Sequence, residues 1–278
     1  MIKKNFKKLG IMQGRLLPKY NGRYQAHPIG YWKKEFPIAS KLGLDSIEFI
    51  LDFNQAEKNP LLTEEGIKEI KEIENLSGIK VKSICADYFM EAPIHSSNKV
   101  IVENSLKMLN RLIDSAVLLN IKDIVIPCVD QSSLKNQKEI NNFVKNISSI
   151  MSKAEKFDIN ISLETDLAPK PFADLIEKIN SKNLTVNYDM GNSAALGYDP
   201  IEELKSYGKK ISDLHIKDRL LGGVSVPLGT GNVEFVKIFE SLLKQNYQGI
   251  MIFQAFRDDE GLEIFKKQFS WFLKNIKL

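Results

Sequence analysis

Short runs of apolar residues alternate along this chain with longer stretches in which apolar positions recur every three or four residues. The short runs predict strands at Leu9–Met12, Ser46–Ile50, Val81–Cys85, Asp123–Pro127, Asn160–Glu164, Thr185–Tyr188, Ile211–His215 and Gly249–Phe253. Several, such as Ile-Val-Ile-Pro at 124–127, are nearly continuous apolar runs, as strands covered on both faces should be. The longer stretches predict helices near 31–42, 64–76, 98–119, 137–157, 170–180, 200–207, 232–246 and 259–276. In the third, Leu106, Leu109, Ile113, Ala116 and Val117 share one face. Thr63 before Glu64-Glu65-Gly66 reads as an N-cap. Gly43 and Gly78 stand where a left-handed residue closes a helix.

Eight strand–helix units in 278 residues point to an α/β chain folded as a single (β/α)8 TIM barrel, one domain over 1–278. A doubly wound nucleotide-binding sheet would need a glycine-rich turn after the first strand. Gly10 and Gly14 do not fit that fingerprint, and Gly222–Gly223 and Gly229–Gly231 follow the seventh strand.

Composition changes this picture little. Apolar residues make up 43% and charged residues 27%, ordinary for a globular protein with a sizeable core. The net charge of +4 owes much to Lys3, Lys4, Lys7 and Lys8, read as a solvated terminus. Balanced charge elsewhere gives no nucleic-acid signature. Cys85 and Cys128 end apolar runs without zinc or redox spacing and suit a reducing compartment. No apolar h-region follows the N-terminal charges, and no run has the length of a membrane span. The expectation is a cytoplasmic protein with a small-molecule ligand and neither nucleic acid nor membrane as partner.

Four short apolar runs close on a polar, metal-capable side chain at or just past the end of a predicted strand: Glu164, Asp189, His215 and Gln254. In a parallel barrel the carboxyl ends of the strands share one open face. Each residue has an ordinary reading when taken alone. Glu164 would be a rim carboxylate, Asp189 a turn cap, His215 a satisfied histidine and Gln254 nothing in particular. They fall instead at one structural phase on strands five to eight. Two carboxylates, an imidazole and an amide oxygen would make a mostly oxygen site for a divalent cation.

The residues that carry these positions resemble those of the xylose-isomerase-like barrels, the sugar phosphate isomerases and epimerases that include L-ribulose-5-phosphate 3-epimerase-like proteins. The resemblance spans the chain through MQGR (Met12–Arg15), CADYFM (Cys85–Met90), LETD (Leu163–Asp166), YDMGNSAALGYD (Tyr188–Asp199), LHIKDR (Leu214–Arg219), VPLGTGNVEF (Val226–Phe235) and FQAFR (Phe253–Arg257). It implies one divalent metal held by Glu164, Asp189 and His215, with Gln254 where the family has a second glutamate. It further implies proton transfer beside a polarised carbonyl, with Glu164 as base. Mn²⁺, Co²⁺ or Mg²⁺ suits such ligands, and Zn²⁺ is not excluded. A homodimer is common in the family.

Two departures matter. Gln254 can coordinate through its oxygen but cannot carry a proton as a carboxylate does. That leaves Asp166, Glu48, Lys217 or Asp218 for the second proton-transfer role, or a one-base isomerisation or dehydration. Asn192 stands where some family epimerases carry a substrate-binding histidine. Arg15, Lys217 and Arg219 remain as cations for a substrate, and the late glycine loop offers either backbone amides for a phosphate or a plain turn. Tyr31, Trp32, Tyr88 and Phe89 are candidates either for pocket walls or for packing between helices and barrel. The alternatives to a sugar isomerase or epimerase are a metal-dependent lyase or dehydratase acting on a cyclitol or keto-sugar, and a non-catalytic sugar-binding barrel. Three histidines cannot furnish the multi-zinc cluster of the nuclease branch.

Overall fold

Eight parallel strands close on themselves in chain order: β1 (Leu9–Met12), β2 (Ser46–Ile50), β3 (Lys80–Cys85), β4 (Asp123–Cys128), β5 (Asn160–Thr165), β6 (Leu184–Asp189), β7 (Ile211–Ile216) and β8 (Ile250–Phe253). β8 pairs with β1 to complete the ring, Ile252 opposite Gly10. The computed structural model describes residues 9–276. The terminal lysines Lys3, Lys4, Lys7 and Lys8 lie outside them.

Helices α1 (Glu35–Leu42), α2 (Glu64–Ser77), α4 (Lys99–Leu119), α5 (Gln137–Lys156), α6 (Pro169–Ile179), α8 (Pro200–Tyr207), α9 (Phe235–Lys244) and α10 (Leu262–Asn275) occupy the predicted stretches. The short helices α3 (Tyr88–Glu91) and α7 (Met190–Leu196) were not expected. Both follow strands closely, and at four and seven residues they are too short to leave a helical period in the sequence. Thr63 caps α2 by accepting the Gly66 N–H, and Gly43 and Gly78 close α1 and α2 with φ of 73° and 76°. No described helix is long and apolar enough to cross a membrane.

Strand alternation divides two environments. Ile161 and Leu163, Val186 and Tyr188, Leu214 and Ile216, and Met251 and Phe253 point outward into the large apolar core beneath the helices. The intervening side chains point into the barrel, where Met12, Ile50, Cys85, Val125, Ile250 and Ile252 form a small apolar layer. Much of the remaining interior is polar and buried: Ser46, Glu48, Ser83, Ser162, Asn187, Asp213 and His215. Buried groups of this kind are costly unless they are hydrogen-bonded, so their concentration on one axis marks where function competes with packing.

Candidate functional site

The same alternation delivers the four strand-end residues. Glu164 follows inward-facing Ser162, Asp189 follows Asn187, His215 follows Asp213, and Gln254 follows Ile252. At the barrel mouth, ligand atoms of Glu164, Asp189 and His215 all lie within 4.8 Å of one another. His215 Nδ1 is 3.5 Å from Glu164 Oε2 and 3.9 Å from Asp189 Oδ2. Donors sharing an ion at about 2.0–2.6 Å are separated by distances of this order.

The imidazole is held from below. His215 Nε2 lies 2.8 Å from Glu48 Oε1, and both side chains are fully buried. An ionised carboxylate only accepts, so Nε2 carries a hydrogen, while Nδ1 lies 3.0 Å from Asn187 Nδ2 and faces Glu164 and Asp189. A cation bound there would take the place of any proton on Nδ1. Burial disfavours the imidazolium, but Glu48 and Glu164 outweigh it and hold the pKa well above the usual histidine range. Burial raises the Glu48 pKa, but the charge and hydrogen bond of His215, together with the bonds of Asp213 and Ser83, outweigh it and leave the group below the usual carboxylate range. Asp213, deeper in the barrel, is pushed well up by burial and by Glu48 beside it.

Two amides position Glu164. Asn187 Nδ2 donates to Oε2 at 2.8 Å and Asn192 Nδ2 to Oε1 at 2.7 Å. Asn187 was missed in the sequence, although its place two residues before Asp189 on one strand puts both on the inner face. Asp189 caps α7 by accepting the Asn192 N–H. Lys217 Nζ bonds Asp189 Oδ2 and Asn192 Oδ1, each at 3.1 Å, and Arg219 Nη1 reaches Asn192 Oδ1 at 2.8 Å. Gly191 permits this crossing, because a Cβ there would lie 2.7 Å from Lys217 Cγ.

Gln254 is oriented by its neighbours. Its Nε2 donates to Gln25 Oε1 at 3.0 Å, an oxygen that also accepts from Arg15 Nη2 at 2.8 Å. Gln25 Nε2 donates in turn to Asp87 Oδ2 at 2.8 Å. Because the Gln25 oxygen takes a guanidinium and its nitrogen faces a carboxylate, Gln254 must present its nitrogen there and its oxygen elsewhere. That Oε1 is buried with no partner among the described residues. An orphaned acceptor lining the same mouth as Glu164 fits a cation, so Glu164, Asp189, His215 and Gln254 could together hold a divalent ion.

A cavity of about 630 Å³ opens above these residues, and Arg15, Asn192, Lys217 and Arg219 line it as expected of substrate contacts. Other expected residues lie elsewhere. Glu48 is sealed beneath His215. Asp166 accepts from the Ser133 hydroxyl beside a smaller recess. Asp218 is fully buried and accepts the N–H groups of Gly229, Gly231 and Val233 at 2.9, 2.9 and 3.1 Å. The late glycine loop is therefore no open phosphate cradle: the Asp218 carboxylate already occupies it. Trp32 and Phe89 are core residues, Tyr88 packs on Phe53, and Tyr31 lies beside Tyr20. The aromatic walls of the cavity are instead Tyr24, Phe53 and Phe256. Sequence reading gave no sign of Gln25 or Asp52, and Asp87 appeared only inside the Cys85–Met90 motif with no role of its own; the three come from loops after β1, β2 and β3.

A closed parallel barrel with a carboxylate, imidazole and amide cluster at the carboxyl ends of β5–β8 defines a class of barrel built for small polar ligands. The profile of xylose isomerase-like TIM barrels matches residues 36–275, and the chain belongs to that family, as its strand-end motifs imply. SgbU of Haemophilus influenzae, whose name as an L-ribulose-5-phosphate 3-epimerase is provisional, is 27% identical over 272 residues, covering 88% of this chain and 92% of that protein. The apo structure of 3-keto-D-glucoside 4-epimerase YcjR from E. coli superposes with a TM-score of 0.74 at 16% identity, covering 96% of this chain and 99% of that one. A xylose isomerase-like barrel protein from Mycobacterium smegmatis in complex with magnesium gives a TM-score of 0.70 at 17% identity and covers 95% of each chain.

Proposed function

We propose that this protein is a divalent-metal-dependent epimerase or isomerase of a small ketose or ketose phosphate, acting at the carbon beside the carbonyl. The observation that carries the reading is the convergence of Glu164, Asp189 and His215, with Glu164 and the Gln254 oxygen reaching the cavity above them. The named relative SgbU supports the substrate class, and the fold shared with YcjR is one on which sugar epimerisation is known. A bound Mn²⁺, Co²⁺ or Mg²⁺ ion would stabilise negative charge developing on the substrate oxygens.

The chain's own groups do the rest. Glu164, held at both oxygens by amides, is fixed for proton removal from the neighbouring carbon. Lys217, Arg219 and Arg15 supply positive charge around the cavity, which suits a substrate bearing hydroxyls and an anionic end. Since Gln254 carries no proton, a one-base reaction such as dehydration of a keto-sugar is the second reading.

The test is to load the protein with Mn²⁺ and incubate it in D₂O with L-ribulose 5-phosphate and with unphosphorylated ketoses. Proton NMR should show deuterium entering at the carbon beside the carbonyl, with loss of exchange in Glu164→Gln. Elimination of water would select the second reading. No exchange from any ketose or ketose phosphate would overturn both.

A further inference from the structure

Inverting a carbon requires a proton to leave from one face and return to the other, so an epimerase with glutamine at position 254 needs its second proton-transfer group elsewhere. Five carboxylates line the cavity among the described residues: Asp52, Asp87, Glu91, Asp130 and Glu164. Asp52 is committed, with Arg23 Nη2 at 2.6 Å and the His27 N–H at 2.7 Å. Glu91 and Asp130 are exposed on the rim. Of the four residues the sequence offered for this role, Glu48 and Asp218 are sealed from the cavity, Lys217 is paired with Asp189, and Asp166 accepts from Ser133 beside a separate recess.

Asp87 remains, and its surroundings differ from the others. It is half-buried after β3, and each of its oxygens takes one uncharged donor: Gln25 Nε2 at 2.8 Å and Cys85 Sγ at 3.2 Å. Among the described residues no cation pairs with it directly. Gln25 links it to Gln254, so it stands one side chain from the position that lacks a carboxylate. Glu164, Asn192, Lys217 and Arg219 form the β5–β7 side of the cavity, whereas Asp87, Gln25, Arg15 and Gln254 form the side built by β1, β3 and β8.

We infer that Asp87 is the second proton-transfer residue, delivering a proton to the face of the substrate carbon opposite Glu164. The inference rests on the epimerase reading above. Glu164 takes the proton, and the electron pair of the broken C–H bond passes into the enolate. Protonated Asp87 then forms the new C–H bond on the other face. Glu164 is left protonated and Asp87 ionised, and exchange with solvent through the open cavity restores both. Burial, with help from the Asp52 and Glu164 carboxylates, pushes the Asp87 pKa up to about 6, so a protonated fraction is present near neutral pH.

Asp87→Asn tests this, since an asparagine oxygen still accepts the Gln25 bond. Mn²⁺-loaded wild-type and variant protein would be incubated in D₂O, separately with L-ribulose 5-phosphate and with its C3 epimer. Wild type should interconvert the two and exchange the C3 hydrogen of both. Asp87→Asn, with Mn²⁺ affinity unchanged, should lose interconversion by about 100-fold or more, and exchange should persist from only the epimer that presents its hydrogen to Glu164. Interconversion within about tenfold of wild type, or equal loss of exchange from both epimers, would overturn the role of Asp87. Wild type that exchanges neither epimer, nor any other ketose, would instead remove the epimerase reading on which the role depends.

Discussion

Glu48 Oε1 and His215 Nε2 meet 2.8 Å apart in the barrel interior, with no part of either side chain exposed. The carboxylate fixes the ring so that Nδ1 turns toward Glu164 and Asp189. Groups that orient a metal-binding histidine in this way typically account for 10–100-fold in affinity. Glu48→Gln should therefore weaken Mn²⁺ binding by about that factor, read by titration of metal-free protein. Undiminished affinity would show that Glu48 serves packing alone.

Gln254→Glu replaces a donor with a carboxylate facing Gln25 Oε1, which Arg15 already engages. The metal-free variant should melt below wild type, losing on the order of 1–3 kcal/mol. Mn²⁺ should bind and restore most of the difference, because the carboxylate then has a cation. Melting curves with and without Mn²⁺ check this, and a variant that no longer binds the ion would place Gln254 outside the ligand set.

Asp218→Ala orphans three backbone N–H groups in the 219–233 segment. The expected cost is about 2–5 kcal/mol in urea unfolding, with earlier proteolytic cleavage in that segment and metal binding retained. Stability within about 0.5 kcal/mol of wild type would show that the loop does not depend on this carboxylate.

His27 and Glu35 pull stability in opposite directions with pH. Burial lowers the His27 pKa from 6.5 to about 3, so between those values only the unfolded chain takes the proton and stability falls as pH falls. Burial raises Glu35 from 4.5 to about 7, against the bonds it accepts from the Gly14 and Leu16 N–H groups. Between those values the folded chain keeps a proton that the unfolded chain has lost, so stability falls as pH rises. Relative to wild type, His27→Gln should improve as pH drops from 6.5 toward 4, and Glu35→Gln as pH rises from 4.5 to 7. Denaturant unfolding across this range reads both, with slopes up to about 1.4 kcal/mol per pH unit. A pH-independent difference would refute either assignment.

The barrel was legible in the sequence because strands buried on both faces leave continuous apolar runs, and a strand-end polar residue interrupts them visibly. Glu164, Asp189, His215 and Gln254 all carried that signal. Residues set by loop geometry did not. Asp218 follows β7 closely and reads like a site residue, yet its carboxylate turns back into its own loop. Gln25 and Asp87 lie on separate loops, more than 60 positions apart and joined by one hydrogen bond, and no local pattern records such a contact. Trp32 and Phe89 look like pocket walls by composition, and packing between barrel and helices claimed them.

The central claim is a divalent-cation site at the mouth of the barrel, and a Mn²⁺ titration of metal-free protein with elemental analysis of the loaded form tests it most directly. The account predicts one ion per chain, with binding abolished in His215→Ala and Asp189→Ala while both variants keep a folded circular-dichroism spectrum. No uptake by wild type at millimolar Mn²⁺, Co²⁺ or Mg²⁺, or full uptake by both variants, would contradict it.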